Sequence, residues 1–133
     1  MGQHSLTQHG YRREVALSFL DAIVKTKEEL TKEGFGILTE IDVQATLKKK
    51  LDVDYDAYTI LGACNPPFAY EALQAEKEIG LFLPCNVIVY TDAGKTFVSA
   101  ILPTVAMGTI GNPTLSAIAN TVEVKLKKVI DAI

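Results

Sequence analysis

The hydrophobic period of this chain switches repeatedly between two values, and this limits the folds open to it. Apolar and polar side chains alternate over residues 11–17 and again over 35–41, which is typical of strands with one buried face. After each of these segments, apolar residues recur every three or four positions, as in an amphipathic helix. A chain that changes period in this way buries its helices against a sheet.

Three further segments are predicted to be strands. Residues 55–64 and 86–90 are rich in aromatic and β-branched side chains, and 96–102 follows a turn of the Asp/Gly type at 91–95. The turn predicts that the last two strands form a hairpin.

Capping residues predict where the helices begin. Ser18 and Asp42 precede the first two helices, and each of the last two predicted helices starts with an asparagine followed by proline, at Asn65-Pro66 and Asn112-Pro113. In the first helix, the period places Leu20, Ile23, Val24 and Leu30 on the apolar side. The segment 103–111 has no clear period and is interpreted as a loop. The predicted order is therefore β-α-β-α-β-α-β-β-α.

This order predicts an α+β fold: a two-layer sandwich in which a mixed, mostly antiparallel sheet carries its helices on one face. A doubly wound sheet is the alternative. The length of 133 residues favours a single domain over 1–133. Residues 1–10 are polar and are expected to form a flexible N-terminal tail.

Composition excludes several functional classes. With 48% hydrophobic and 22% charged residues the chain is globular rather than disordered. A net charge of −3 gives no electrostatic footprint for nucleic acid, so we expect no nucleic-acid partner. No apolar run approaches the ~20 residues that span a bilayer, and we expect no membrane association. The first residues do not resemble a signal peptide, which favours a cytoplasmic location with reduced thiols.

The chain has two cysteines, and each is followed by asparagine and lies close to proline, in Cys64-Asn65-Pro66 and Pro84-Cys85-Asn86. Cys64 precedes a predicted helix N-terminus, whose partial positive charge favours a thiolate. It is therefore a candidate nucleophile, with Cys85 as the resolving thiol. The alternative is that Cys64 is a small apolar residue at the end of a strand. The path of residues 80–85 decides whether the two thiols meet, and the sequence leaves that path open.

No metal site is expected from the spacing of possible ligands. The two cysteines lack a Cys-x-x-Cys arrangement, and the two histidines, His4 and His9, fall in the expected tail. Glu40 and Asp42 lie on the same side of a predicted strand end and could act as acid and base, although Asp42 is better explained as a helix cap.

Five segments occur in this order: Gly34-Phe35-Gly36, Thr39-Glu40-Ile41-Asp42-Val43, Leu61-Gly62-Ala63-Cys64-Asn65-Pro66-Pro67, Leu83-Pro84-Cys85-Asn86-Val87 and Gly111-Asn112-Pro113. Together they resemble the domain-of-unknown-function 302 family over about residues 11–133. The resemblance implies a compact α/β domain that forms dimers and has no established activity. It also implies glycine where this chain has Cys64, and another apolar residue at Cys85. A thiol function would then belong to this branch of the family.

We therefore expect a small-ligand-binding or sensor domain that forms a homodimer. A thiol-based redox or sulfur-handling enzyme that uses Cys64 and Cys85 is the alternative. A third possibility is an interaction protein that dimerises through its last helix. The cofactor is left open. The expected pocket consists of Cys64, Asn65, Pro66, Cys85, Asn86 and Glu40.

Overall fold

A computed structural model describes residues 4–133, and its six strands form one sheet. The spatial order is β1-β2-β6-β5-β4-β3, and every neighbouring pair among the described strands is antiparallel. The predicted α+β class is confirmed. The strands are β1 (His4–Leu6), β2 (Gly10–Val15), β3 (Gly36–Asp42), β4 (Tyr58–Cys64), β5 (Cys85–Asp92) and β6 (Lys95–Ile101).

The helices follow the predicted order, with two short additions. A 3₁₀ helix (Lys77–Phe82) links α3 to β5, and α4 lies inside the segment interpreted as a loop. The α-helices of the described chain are α1 (Phe19–Lys32), α2 (Val43–Leu51), α3 (Pro66–Ala75), α4 (Pro103–Ala106) and α5 (Pro113–Asp131).

Side-chain caps start three of these helices where the sequence places them. The Ser18 hydroxyl accepts a hydrogen bond from the Asp21 N–H at 3.1 Å, and the Asp42 carboxylate accepts one from the Ala45 N–H at 2.9 Å. Asn112 accepts from the Thr114 N–H at 2.9 Å. Each bond satisfies an N–H group that the first helical turn leaves without a partner.

The sheet buries one face under α1 and α5. Val87, Val89 and Val98 are fully buried on β5 and β6, and Leu30 and Ile130 pack against them from the two helices. A smaller cluster joins α3 to α5 through Ala72 and Leu115, together with Ile79, Met107 and Ala119. This second cluster closes the end of the sheet at which β4 finishes and β5 begins.

The inward face of α1 agrees with the prediction in part. Ile23 and Leu30 are buried as the helical period predicts, but Leu20 and Val24 are exposed. Ala22 and Thr26 are buried in their place, because small side chains allow the helix to lie close to the sheet. The Thr26 hydroxyl donates to the Ala22 carbonyl at 2.6 Å and so needs no solvent.

The N-terminal segment also differs from the expected flexible tail. Residues His4–Leu6 pair with β2, and β2 itself starts at Gly10. Part of the segment 1–10 therefore belongs to the sheet, while residues 1–3 lie outside the described range. Within residues 4–133, no helix combines the length and the apolar character needed to cross a bilayer.

Side chains that alternate with the core residues point to the second face of the sheet. Tyr58 pairs with Tyr90, and Tyr90 pairs with Phe97. Their rings stack with centroids 5.4 and 5.3 Å apart. Ile60 and Ile88 form the neighbouring pair. We call these five residues the aromatic face.

The outermost strand β3 has an irregular ladder. Its register against β4 shifts between Ile37 and Thr39, and the intervening Leu38 is exposed. Such a shift is a β-bulge, which bends the strand locally.

Gly62 on β4 has no room for a side chain, so we expect Gly62→Ala to destabilise the fold. An added Cβ would lie 2.9 Å from the Pro84 Cγ and would also overlap the Thr39 hydroxyl. The threonine can rotate, but the proline ring cannot, and overpacking of this kind costs about 1–3 kcal/mol. Urea unfolding followed by circular dichroism measures the change.

Gly80→Ala is the matched control, because nothing lies within 4 Å of the position its Cβ would take. We expect its unfolding free energy to change by less than about 1 kcal/mol. Equal midpoints for the two variants would contradict the crowding at Gly62.

Candidate functional site

A cavity of about 40 Å³ lies where the end of β4 and the start of β5 meet α3, α4 and α5. Its walls are almost entirely apolar. The main hydrophobic side chains around it are Phe35, Phe68, Leu83, Pro103, Ile118 and Val122. They come from distant parts of the chain, so the cavity forms only when the layers pack.

The pairing of β4 with β5 brings both cysteines to this cavity. Ala63 is the direct partner of Cys85, and Cys64 is the next residue along β4. Cys64 is half-buried and Cys85 is buried, and both line the cavity as free thiols. The question left open by the sequence is therefore answered: the two cysteines lie at the same end of the sheet.

The two thiols differ in burial, and this difference affects the pKa of Cys85. Burial raises the pKa of Cys85 to about 11, and the nearby Cys64 adds to this rise. A thiolate is disfavoured because the apolar walls replace the water that would solvate its charge. At neutral pH, Cys85 is therefore a protonated thiol.

Asn65 lines the cavity, but its amide already has a structural partner. It occupies the N-cap position of α3 without making the side-chain cap that the sequence predicts. Its Nδ2 instead donates to the Glu33 carbonyl oxygen at 3.1 Å. The Glu33 carbonyl lies at the end of α1, so Asn65 joins that end to the wall of the cavity.

Three of the predicted pocket residues do not line the cavity. Pro66 is exposed in the first turn of α3. Asn86 follows Cys85 on a strand and points to the opposite face, beside Ile88. Glu40 forms an ion pair with Lys27 on α1, with its Oε1 2.6 Å from the Lys27 Nζ. Asn86 is excluded from the cavity because neighbouring strand residues face opposite sides of a sheet.

Met107 lines the cavity although no sequence pattern indicates it. This residue directly follows α4, is buried, and packs with Ala119 and Leu115 of α5. The segment 103–111 shows no hydrophobic period, so nothing in the spacing places this side chain in the interior.

Comparison with known proteins gives one family and one similar fold. The family described as "Domain of unknown function DUF302" matches residues 11–133. A crystal structure of an uncharacterized conserved DUF302 protein from Bacillus stearothermophilus is similar, with a TM-score of 0.88 and 32% sequence identity. The match covers 92% of this chain and 96% of that chain. Among curated proteins, none matches.

We expect Cys85 to resist alkylation in the folded protein at pH 8, and Cys64 to react faster. A thiol with a pKa of about 11 holds a negligible thiolate fraction at pH 8, and the thiolate is the reacting form. Iodoacetamide treatment followed by peptide mass spectrometry measures both rates.

The same reaction in urea is the control, because there both thiols should react alike. Equal alkylation rates for the two cysteines in the folded state would contradict the raised pKa of Cys85.

Raising the pH from about 9 towards 11 should also lower the stability of the folded state, because the Cys85 thiol ionises first in the unfolded chain.

Proposed function

This chain belongs to the DUF302 family, and on that premise we propose that it is a small-ligand-binding domain whose site is the cavity at Cys64 and Cys85. The family description assigns no activity, so the function is argued from the site. The observation that carries the proposal is the cavity itself: an apolar space at the meeting point of both thiols, α3 and α5. Concave apolar spaces with a few polar groups are the usual form of small-ligand sites.

The volume of the cavity limits the ligand. About 40 Å³ holds roughly two or three water-sized atoms. This is too small for an aromatic ring or a nucleotide. A single ion or a molecule of very few atoms fits the available space.

A thiol-based redox or sulfur-handling enzyme takes second place. The shared position of the cysteines favours it, but a resolving thiol attacks as the thiolate. Cys85 is protonated at neutral pH because burial raises its pKa to about 11. Binding requires no such ionised group before the ligand arrives.

We also propose that the protein is a cytoplasmic homodimer that associates through the aromatic face. The two free thiols are compatible with a reducing compartment. Aromatic side chains are enriched in protein interfaces, and the face has three of them in one stack. Arg12 and Glu14 lie at its border on β2, where a two-fold axis can bring opposite charges together. The apolar side of α5, the other possible interface, already packs on the sheet.

Xenon tests whether the cavity admits a small ligand. We expect xenon under pressure to occupy the space beside Cys85, seen in crystals or by ¹²⁹Xe NMR, because xenon enters accessible apolar cavities regardless of their chemistry. Ala69→Leu, which places a larger side chain in the cavity wall, should abolish this signal.

Ala117→Leu is the control for this experiment, since Ala117 is exposed on α5 and does not line the cavity. It should bind xenon as the original protein does. Absence of xenon from the unmodified protein would refute the proposed binding site.

Light scattering with two lysine variants tests the dimer. We expect a dimer at micromolar concentration, and we expect Ile88→Lys to produce monomers, because an unpaired charge in an apolar interface is costly. Val124→Lys on the exposed side of α5 should remain dimeric. If Val124→Lys is monomeric and Ile88→Lys remains dimeric, the interface lies on α5 instead. If the unmodified protein is monomeric, the dimer proposal is refuted. Circular dichroism confirms that both variants are folded.

A further inference from the structure

A second concave space lies at the other end of β4 and β5, away from the two cysteines. It is a surface groove of about 220 Å³, lined by Tyr55, Asp56, Tyr58, Tyr90, Thr91 and Asp92. Because the two strands are antiparallel, the start of β4 and the end of β5 meet here. The Thr91 N–H donates to the Ala57 carbonyl oxygen at 3.0 Å, which fixes the two walls of the groove to each other.

We propose that this groove binds a small organic ammonium cation, held between the tyrosine rings and the carboxylates of Asp56 and Asp92. The inference goes beyond the proposed function, because it concerns a different place on the chain. Aromatic rings attract alkylated ammonium groups, and carboxylates attract them through their opposite charge.

The tyrosine rings leave a corner open to such a cation. The ring centroids of Tyr55 and Tyr58 are 6.3 Å apart and the ring planes meet at 54°, so these two rings form an angle rather than a stack. Tyr58 and Tyr90 are stacked with centroids 5.4 Å apart and form one wall. Tyr55 is 51% exposed, which leaves part of its ring accessible to a ligand from solvent.

The row of stacked rings already contacts a cation at its far end. Beyond Tyr90 the row continues to Phe97, and the guanidinium carbon of Arg12 lies 5.2 Å from the centre of that ring. The near end of the row is bordered by the two carboxylates of the groove instead. A bound ammonium group would therefore cover the near end as Arg12 covers the far end.

The carboxylates of Asp56 and Asp92 are available to a ligand. Both are exposed, and within residues 4–133 neither forms an ion pair. Lys95 is the strand partner of Asp92, but no ion pair joins their side chains. The nearby Lys48 is bound by two other carboxylates, those of Asp52 and Asp54, at 3.0 and 3.3 Å.

The size of the groove and its ligand set favour an organic cation over a metal ion. About 220 Å³ is roughly seven times the volume of one water molecule in the liquid, which suits a cation of about seven non-hydrogen atoms. Calcium and magnesium take more oxygen ligands than two carboxylates supply. In the part of the chain that the structure describes, no group of three or more His, Cys, Asp or Glu could hold a metal ion.

The test is a titration of the full chain with choline, a quaternary ammonium ion of this size, followed by NMR. We expect saturable shifts in the signals of the groove residues. Dimethylbutanol, the analogue in which a carbon atom replaces the nitrogen and removes the charge, should bind at least about 5-fold more weakly. Equal binding of the two compounds would overturn the inference.

An aspartate double variant tests the contribution of the charges. Asp56→Asn combined with Asp92→Asn should weaken choline binding by about 10-fold. Asp52→Asn combined with Asp54→Asn is the matched control, because it removes the same charge from exposed residues that do not line the groove. Its choline affinity should stay within about 2-fold of the unmodified protein, since salt screens distant charges.

A ring variant tests the contribution of the tyrosines. Tyr55→Leu should weaken choline binding by about 3-fold. Tyr70→Leu is its control, because Tyr70 is exposed on α3 and lies outside the groove. Equal choline affinities for these two variants, or for the two aspartate double variants, would contradict the proposed contacts.

Tyr58 and Tyr90 also belong to the aromatic face, so the titration is repeated with Ile88→Lys. This variant keeps all residues that line the groove and should still bind choline. Loss of binding in Ile88→Lys, or no binding by the unmodified protein, would overturn the inference. The xenon experiment reports on the cavity at the cysteines, so either site can fail while the other stands.

Discussion

The register between β4 and β5 determines both the core and the cavity of this protein. With Ala63 opposite Cys85 and Leu61 opposite Val87, the small and aliphatic side chains face α1 and α5. The pairs that alternate with these, such as Tyr58 and Tyr90, then point to the opposite face of the sheet. A slip of one position would exchange the two sets and place tyrosines under the helices. The same register brings the strand ends together and so places the two thiols on one cavity.

Much of the fold could be predicted because its signals are local. Caps at Ser18, Asp42 and Asn112 depend on a few neighbouring residues, and the structure confirms their hydrogen bonds. The hairpin between β5 and β6 turns at 93–94, where both residues have positive φ, close to the predicted Asp/Gly turn. The buried side of α1 could be predicted only in part. The helical period correctly places Ile23 and Leu30 inside, but the sheet buries the smaller Ala22 and Thr26 in place of Leu20 and Val24.

The candidate site was harder to predict than the fold. The repeated Cys-Asn pair suggests that both members of each pair share one pocket, yet period-two geometry sends Asn86 to the face opposite Cys85. Asn65 stays at the cavity but bonds to the end of α1. Met107 carries no periodic signal, because its position depends on how α4 meets α5. Residues that meet only through tertiary packing leave no trace in spacing along the chain.

The bulge in β3 has a consequence for behaviour at high concentration. β3 is the last strand of the sheet, and a regular outer strand offers an unbroken row of N–H and C=O groups to an incoming chain. The displaced register between Ile37 and Thr39 interrupts that row. An arriving segment therefore finds no continuous template, and strand addition at this edge of the sheet is disfavoured.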